Sequence, residues 1–201
     1  MHAARPRPGG SQRYDRRGRA EGGGYGVTRA RRDVTTNGGT EMRVNYATAF
    51  PDGVEAMLSL EKAVRRAGLE PALLELVKLR ASQLNGCAYC LDMHSKDARA
   101  RGEAEQRLHV LAAWREAPFY SLRERAALAW CEALTLLLQA GAPDDVFGDV
   151  EAQFSEEEIA ALTFQIVAIN GWNRLAVGMR TPVGDYVSPV GRDTARRREP
   201  E

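Results

Sequence analysis

No run of apolar residues in this chain approaches the roughly 18 that a membrane-spanning helix needs, although 44% of its 201 residues are hydrophobic. The first residues also lack the apolar segment of a secretory signal. Three cysteines are too few, and odd in number, for the disulfide framework of a small secreted domain. We therefore expect a cytoplasmic protein with no membrane partner and with enough apolar residues for one sizeable core.

A strong charge of either sign is also missing, since the net charge at pH 7 is +1. Residues 1–40 differ, because they contain nine arginines and only three acidic residues, a net charge of +6. The net charge of the remaining residues is therefore −5. With so few aliphatic residues this segment cannot bury enough surface to fold. We predict that residues 1–41 are a disordered basic leader or reflect a mis-assigned start, with a nucleic-acid-binding arm as the alternative. For the folded part we expect no nucleic-acid partner.

Alternating strand patterns are absent after Met42, and apolar residues recur there at helical spacing. The predicted helices cover about residues 52–67, 71–84 and 87–102, with a short one before Pro118. Two more begin at capping boxes, Ser121 with Glu124 and Ser155 with Glu158. The sequence therefore predicts an all-α domain over residues 42–182, followed by a frayed, solvated C-terminal tail over 183–201.

One short segment, Asn85-Gly86-Cys87-Ala88-Tyr89-Cys90, carries the chemistry. Gly86 interrupts the helical pattern, so Cys87 is expected to start a new helix. Free N–H groups at a helix start carry partial positive charge and stabilise a thiolate. Because Cys87 and Cys90 are three residues apart on one helix, they share a face and can form a disulfide.

A proton acceptor follows at the right spacing. His94 is four residues after Cys90 and lies above it on the same helix face, so its imidazole can take the Cys90 proton directly or through a water. If the helices on either side of Gly86 form a hairpin, Glu75 comes back to orient His94. These residues predict a redox-active thiol pair.

A zinc site is the main alternative for the same residues. Cys87, Cys90, His94 and Glu75 can supply four ligands, but the chain has no second Cys-x-x-Cys and its other histidines lack ligand-like spacing. We expect no metal and no cofactor. Cys131 is interpreted as an inert core thiol, and residues 172–174 as core and helix-end residues rather than a pocket wall.

The run from Glu75 through Arg80-Ala81-Ser82-Gln83-Leu84-Asn85-Gly86-Cys87-Ala88-Tyr89-Cys90 to His94 resembles the alkylhydroperoxidase AhpD core, within the carboxymuconolactone decarboxylase-like superfamily. The match is close over about residues 72–102 and looser over about 44–180. The resemblance implies an AhpD-like helical bundle that is an obligate homo-oligomer, a trimer or hexamer. It also implies that Cys90 attacks a hydroperoxide, Cys87 resolves the sulfenic acid to a disulfide, and His94 with Glu75 relays the proton.

We therefore predict a thiol-dependent alkylhydroperoxidase or disulfide reductase, which an external lipoyl or thioredoxin-like dithiol reduces. Tyr89 stands where AhpD has a histidine, which bears on the choice of reductant. The order of attack stays open, because the helix-start field favours Cys87 as the thiolate. Two alternatives remain: a carboxymuconolactone decarboxylase-type lyase that uses His94 and Glu75 as acid–base groups, and a non-enzymatic redox sensor.

Overall fold

A computed structural model describes residues 41–190 of the chain. The predicted leader lies outside this range except for Glu41, and so do residues 191–201 of the predicted tail. Every regular element over residues 41–190 is helical, which confirms the all-α prediction. The helices are α1 (Tyr46–Ala49), α2 (Pro51–Arg66), α3 (Pro71–Leu84), α4 (Ala88–Ala100), α5 (Glu105–Val110), α6 (Leu122–Thr135), α7 (Leu137–Ala140), α8 (Asp144–Glu151) and α9 (Glu156–Met179), with a 3-10 turn at Leu111–Ala113.

Local signals account for most of these boundaries. Pro51 and Pro71 occupy the first positions of α2 and α3, where a missing N–H costs nothing. Both predicted capping boxes form, with the Ser121 hydroxyl accepting from the Glu124 N–H and the Ser155 hydroxyl accepting from the Glu158 N–H. The sequence patterns therefore placed the starts of α6 and α9 correctly.

Two features depart from the expected helix pattern. The helix that begins after Ser121 ends at Thr135, because Leu136 leaves helical geometry, and α7 then adds a single turn. Leu138 on that turn is fully exposed, although helical spacing would place a leucine there with the buried residues of α6. The second departure is α8, which follows Pro143 and was not predicted.

Helix α3 lies at the centre of the fold, packed against α4, α6 and α9. Apolar residues cover nearly its whole circumference, as expected for a helix with neighbours on all sides. Its buried apolar residues are Leu73, Leu74, Leu76, Val77, Leu79 and Ala81. Three polar residues of α3, Glu75, Lys78 and Ser82, are also buried. Buried polar groups need partners, and theirs lie on α2, α4 and α9. No helix among residues 41–190 is long and apolar enough to cross a bilayer.

Candidate active site

The turn between α3 and α4 sets the position of the two thiols. Gly86 has φ +63°, a left-handed conformation that favours glycine. The Gly86 N–H donates to the Gln83 carbonyl (3.3 Å) and the Cys87 N–H to the Ser82 carbonyl (3.0 Å), the paired bonds of a Schellman motif. This motif ends α3 and leaves Cys87 as the N-cap residue of α4.

The two sulfur atoms lie 2.6 Å apart, within hydrogen-bond distance of each other. The Cys87 sulfur also accepts the backbone N–H of Cys90 at 3.4 Å, the position that a serine or aspartate oxygen takes at most helix starts. Both side chains are only 1% exposed. The pair is thus arranged for disulfide formation on one buried helix turn.

The donors around Cys87 decide where the negative charge lies. The hydrogen bond from Cys90, against the opposing effect of burial and with help from the Cys90 N–H, lowers the pKa of Cys87 to about 7. The pKa of Cys90 is raised, because its proton is held by Cys87 and because the thiol is buried. The pair therefore loses its first proton from the Cys87 side and keeps the second on Cys90.

The predicted contact between Glu75 and His94 is present. Helices α3 and α4 form a hairpin across Gly86, and His94 Nδ1 lies 2.9 Å from Glu75 Oε2. An ionised carboxylate only accepts hydrogen bonds, so His94 Nδ1 is the donor in this contact and Nε2 is the ring nitrogen that Glu75 does not engage. Over residues 41–190 no direct hydrogen bond joins His94 to either sulfur, and proton transfer from Cys90 to His94 stays a prediction.

Sequence reasoning missed the cations that hold Glu75 ionised. Lys78 Nζ lies 3.4 Å from Glu75 Oε1 and 3.9 Å from Glu61 Oε2, and Arg101 Nε lies 3.8 Å from Glu75 Oε1. Glu61 in turn accepts from the Gln165 side chain at 3.2 Å. Burial raises the pKa of Glu75, but the hydrogen bond with His94 and the charge of Lys78 outweigh it, so this pKa is lowered overall. A lysine inside an otherwise apolar stretch of α3 was the available signal.

A second polar group, from α9, lies against the thiols. Asn173 is 1% exposed, donates to Ser82 Oγ at 3.1 Å and accepts from the Asn85 side chain at 2.9 Å. The nearby Asn173 amide also acts to lower the pKa of both thiols. The interpretation of residues 172–174 as core and helix-end residues was therefore incomplete, because Asn173 belongs to the site.

Part of the predicted tail also lies against the site, so the expectation of a frayed tail was wrong for residues 184–186. Lys96 Nζ on α4 donates to the carbonyls of Gly184 (3.1 Å) and Tyr186 (2.9 Å). The Tyr186 hydroxyl donates to Asp97 at 2.9 Å, one helix turn from His94. The tail thus covers the α4 face that carries His94.

The four residues of the zinc alternative are not gathered around a common point. Across the described part of the chain, the one cluster of possible metal ligands is Glu75, His94 and Asp97, and it contains neither sulfur. Lys78 and Arg101 already pair with its Glu75 carboxylate, which disfavours a further cation there. Cys131 is fully buried and burial raises its pKa to about 12, which fits an inert core thiol.

Comparisons with known proteins identify the family and the fold. The family model of the carboxymuconolactone decarboxylase family matches residues 51–133. The uncharacterised protein YdfG of Bacillus subtilis is 42% identical over 137 residues, 68% of this chain and 93% of YdfG. A crystallised Agrobacterium tumefaciens protein of unknown function, whose proposed role is AhpD-type antioxidant defence, is 46% identical and covers 73% of this chain with all of its own length, at a TM-score of 0.70.

A more distant structure shares the fold alone. The debrominase Bmp8 is 22% identical with a TM-score of 0.62, over 69% of this chain and 74% of Bmp8. The helical architecture therefore hosts more than one chemistry, so the side chains of this chain must indicate its reaction. On the family match and the relatives together, this chain belongs to the carboxymuconolactone decarboxylase family and has the AhpD-like helical fold.

Proposed function

We propose that this protein is a thiol-dependent hydroperoxidase that reduces its substrate with the Cys87–Cys90 pair. The sulfur pair carries the proposal: the two atoms are 2.6 Å apart and the pKa of Cys87 is lowered to about 7. At pH 7 about half of such a thiol is thiolate, against about 1% for a thiol of pKa 9. The site thus raises the concentration of nucleophile about 50-fold.

The reaction balances with two thiols and no cofactor. The Cys87 thiolate attacks the terminal peroxide oxygen, the O–O bond breaks, and the leaving alkoxide takes a proton to give the alcohol. Cys90 then attacks the Cys87 sulfenic acid, a disulfide forms and water leaves. Two electrons pass from the cysteines to the peroxide, and an external dithiol returns them by thiol–disulfide exchange. A lipoyl or thioredoxin-like dithiol fits this last step.

His94 and Glu75 have a definite task in this cycle. Because the pKa of Cys90 is raised, Cys90 resolves the sulfenic acid only if a base removes its proton. His94 lies four residues after Cys90 on α4 and presents Nε2 as an acceptor, while Glu75 holds Nδ1–H. The Glu75 carboxylate also stabilises the imidazolium that forms, so the relay acts in the second step.

We extend the proposal to a homo-oligomer, a trimer or a hexamer. Several large apolar side chains are exposed on single protomers, which is costly unless a partner covers them. The most exposed of them are Phe50, Leu122, Leu137, Leu138, Phe164, Val167 and Val187. Light scattering is expected to give three or six times the 22.1 kDa of one chain, and a monomer at micromolar concentration would contradict this extension.

Peroxide turnover with a panel of dithiol donors tests the proposed function. Wild-type protein is expected to lose two thiols per peroxide and to turn over with at least one donor, while Cys87→Ser and Cys90→Ser do not. Cys131→Ser serves as the matched control, because its thiol is fully buried and donates to the Val77 carbonyl rather than to the pair. Turnover that persists in both pair variants would refute the mechanism.

The same assay separates the two alternatives. A redox sensor would oxidise once, losing two thiols, without catalytic peroxide consumption under any donor. A decarboxylase-type lyase would keep its activity after both thiols are alkylated, because its acid–base groups would be His94 and Glu75.

A further inference from the structure

A cavity of about 270 Å³ opens between the end of α3 and the last turns of α9. It is lined by Asn85, Asn173, Arg174, Val177 and Gly178. Asn173 donates to Ser82 Oγ at 3.1 Å, and the Ser82 carbonyl accepts the Cys87 N–H at 3.0 Å. A molecule that fills this cavity is therefore separated from the thiol pair only by Asn173 and its neighbour Ser82.

The wall of the cavity carries an arginine without a carboxylate partner. Arg174 Nη1 donates to the backbone carbonyl (2.8 Å) and side-chain oxygen (3.1 Å) of Asn170, and no acidic group lies within 4.0 Å of it over residues 41–190. By contrast, Arg80, Arg107 and Arg123 each pair with a glutamate. The remaining donors of Arg174, Nε and Nη2, are available to a ligand.

A second arginine is fixed beside the same cavity. The Arg43 backbone N–H donates to the Met179 carbonyl at 2.9 Å, and Arg43 Nη1 donates to the Gly178 carbonyl at 3.0 Å. Within the described part of the chain Arg43 also has no ion-pair partner. The cavity is therefore lined by one guanidinium group, two carboxamides and the apolar side chain of Val177, and Arg43 adds a second guanidinium group at the Gly178 carbonyl.

This combination selects an anion with an apolar body. Guanidinium groups bind carboxylates through paired, charge-assisted hydrogen bonds. The volume lies just below the range of drug-sized ligand sites, about 300–1,000 Å³, so a ligand with a single ring fits better than a long chain. Of the lining residues, Asn173 is the one that contacts Ser82 next to the thiol pair, so a ligand held by the guanidinium donors would have its other end near Asn173.

We propose that the cavity binds an organic hydroperoxide that carries a carboxylate, with the carboxylate on Arg174 and Arg43 and the peroxide group toward Asn173. This assignment rests on the proposed function and adds its substrate class. The carboxylate takes no part in the electron transfer, which follows the two-thiol reaction given above. Its role is to hold the O–O bond near the sulfurs.

A matched pair of substrates tests the assignment. We compare kcat/KM for 4-carboxycumene hydroperoxide and for neutral cumene hydroperoxide, and take their ratio. The ratio is expected to favour the acid in wild type, to fall about tenfold in Arg174→Gln, as expected for one lost charge-assisted contact, and to fall with added salt. The control is Arg66→Gln, which removes an exposed guanidinium on α2, outside the cavity lining.

A binding readout keeps this test independent of turnover. The unreactive product alcohol, 4-(2-hydroxypropan-2-yl)benzoate, is expected to slow iodoacetamide alkylation of Cys87 more than neutral 2-phenyl-2-propanol does, and Arg174→Gln is expected to remove the difference. Equal protection by both alcohols, or an unchanged substrate ratio in Arg174→Gln, would overturn the assignment and leave the peroxidase proposal standing. Selective protection without any peroxide turnover would support the anion site and refute the peroxidase.

Discussion

Removing the buried amine of Lys78 gives the strongest test of how the site is held together. Lys78 is 5% exposed, and its Nζ lies 3.4 Å from a Glu75 oxygen and 3.9 Å from a Glu61 oxygen. At an effective dielectric constant of 20, each of these attractions is worth about 4–5 kcal/mol, most of it offset by the cost of burying the charges. Lys78→Met keeps the apolar volume and leaves two buried carboxylates facing each other.

The expected loss is therefore that of a broken buried ion pair, about 3–5 kcal/mol, from a total stability of about 5–15 kcal/mol. In urea this corresponds to a fall in the unfolding midpoint of about 2 M, for an m-value of about 2 kcal/mol/M. Lys62→Met is the control, because it removes an exposed lysine from α2 and should change stability by less than about 0.5 kcal/mol. Glu61→Gln combined with Lys78→Met should recover part of the loss.

The stability loss in Lys78→Met is also expected to depend on pH, in a direction that follows from the pKa of Glu75. In wild type the pKa of Glu75 is lowered in the folded state, so its contribution to stability is present above the unfolded pKa and is lost as pH falls through the folded one. Without Lys78 the effect of burial is less opposed and the pKa of Glu75 rises. Protonation of Glu75 then removes the repulsion between the two buried carboxylates of the variant. The difference in unfolding free energy between wild type and Lys78→Met should therefore narrow as pH falls from 7 to about 4. A loss that matches the Lys62→Met control, or that does not change with pH, would refute the argument.

Two further predictions concern the turn and the thiols. The rate of Cys87 alkylation in wild-type protein should rise with pH through a midpoint near 7, the pKa of Cys87. Cys90→Ala should shift that midpoint upward, because the hydrogen bond from the Cys90 thiol to Cys87 is lost. An unshifted midpoint would show that Cys90 is not the donor. Gly86→Ala places a side chain at φ +63° and should cost about 1–2 kcal/mol in urea unfolding. Gly148→Ala, at a helical position with open space around it, should instead stabilise by up to about 1 kcal/mol, and equal effects would contradict the strain argument.

The helices that the sequence predicted well are those whose ends are set by contacts between residues close together in the chain. A capping box such as Ser121 with Glu124 needs only four residues, and Gly86 ends α3 through bonds that stay within the same turn. The missed elements lack such signals. The break at Leu136 has no glycine or proline, and α8 is a two-turn helix that packs against α6.

The same distinction applies to the site. Cys87, Cys90 and His94 share one helix, so their spacing alone placed them on one face, and the hairpin across Gly86 correctly brought back Glu75. Lys78 and Asn173 were missed because their roles depend on packing between helices. Lys78 acquires its second carboxylate from α2, and Asn173 reaches the thiols from α9, about 85 positions along the chain. No short-range pattern encodes either contact.

The order in which the sulfurs react depends on the position of one proton. Spacing pairs Cys90 with His94, and the AhpD resemblance implies Cys90 as the attacking thiol, which stays a prediction. In the structure the Cys90 N–H donates to the Cys87 sulfur, and the contact between the two sulfurs lowers the pKa of Cys87 and raises that of Cys90. Lowering a thiol pKa from 9.0 to about 7 raises its thiolate fraction about 50-fold at pH 7 and reduces its intrinsic nucleophilicity about eightfold. A net gain of about sixfold favours attack by Cys87.

Trapping the sulfenic acid decides between the two orders. With Cys90 resolving, Cys90→Ala should accumulate a dimedone adduct on Cys87 after one equivalent of peroxide, because no second thiol of the pair removes the sulfenic acid. Cys87→Ala should form its adduct on Cys90 much more slowly. Cys90 is buried, and burial keeps its thiol protonated. Adduct formation on Cys90 as fast as on Cys87 would reverse the order and assign the first proton transfer, rather than the second, to His94 and Glu75.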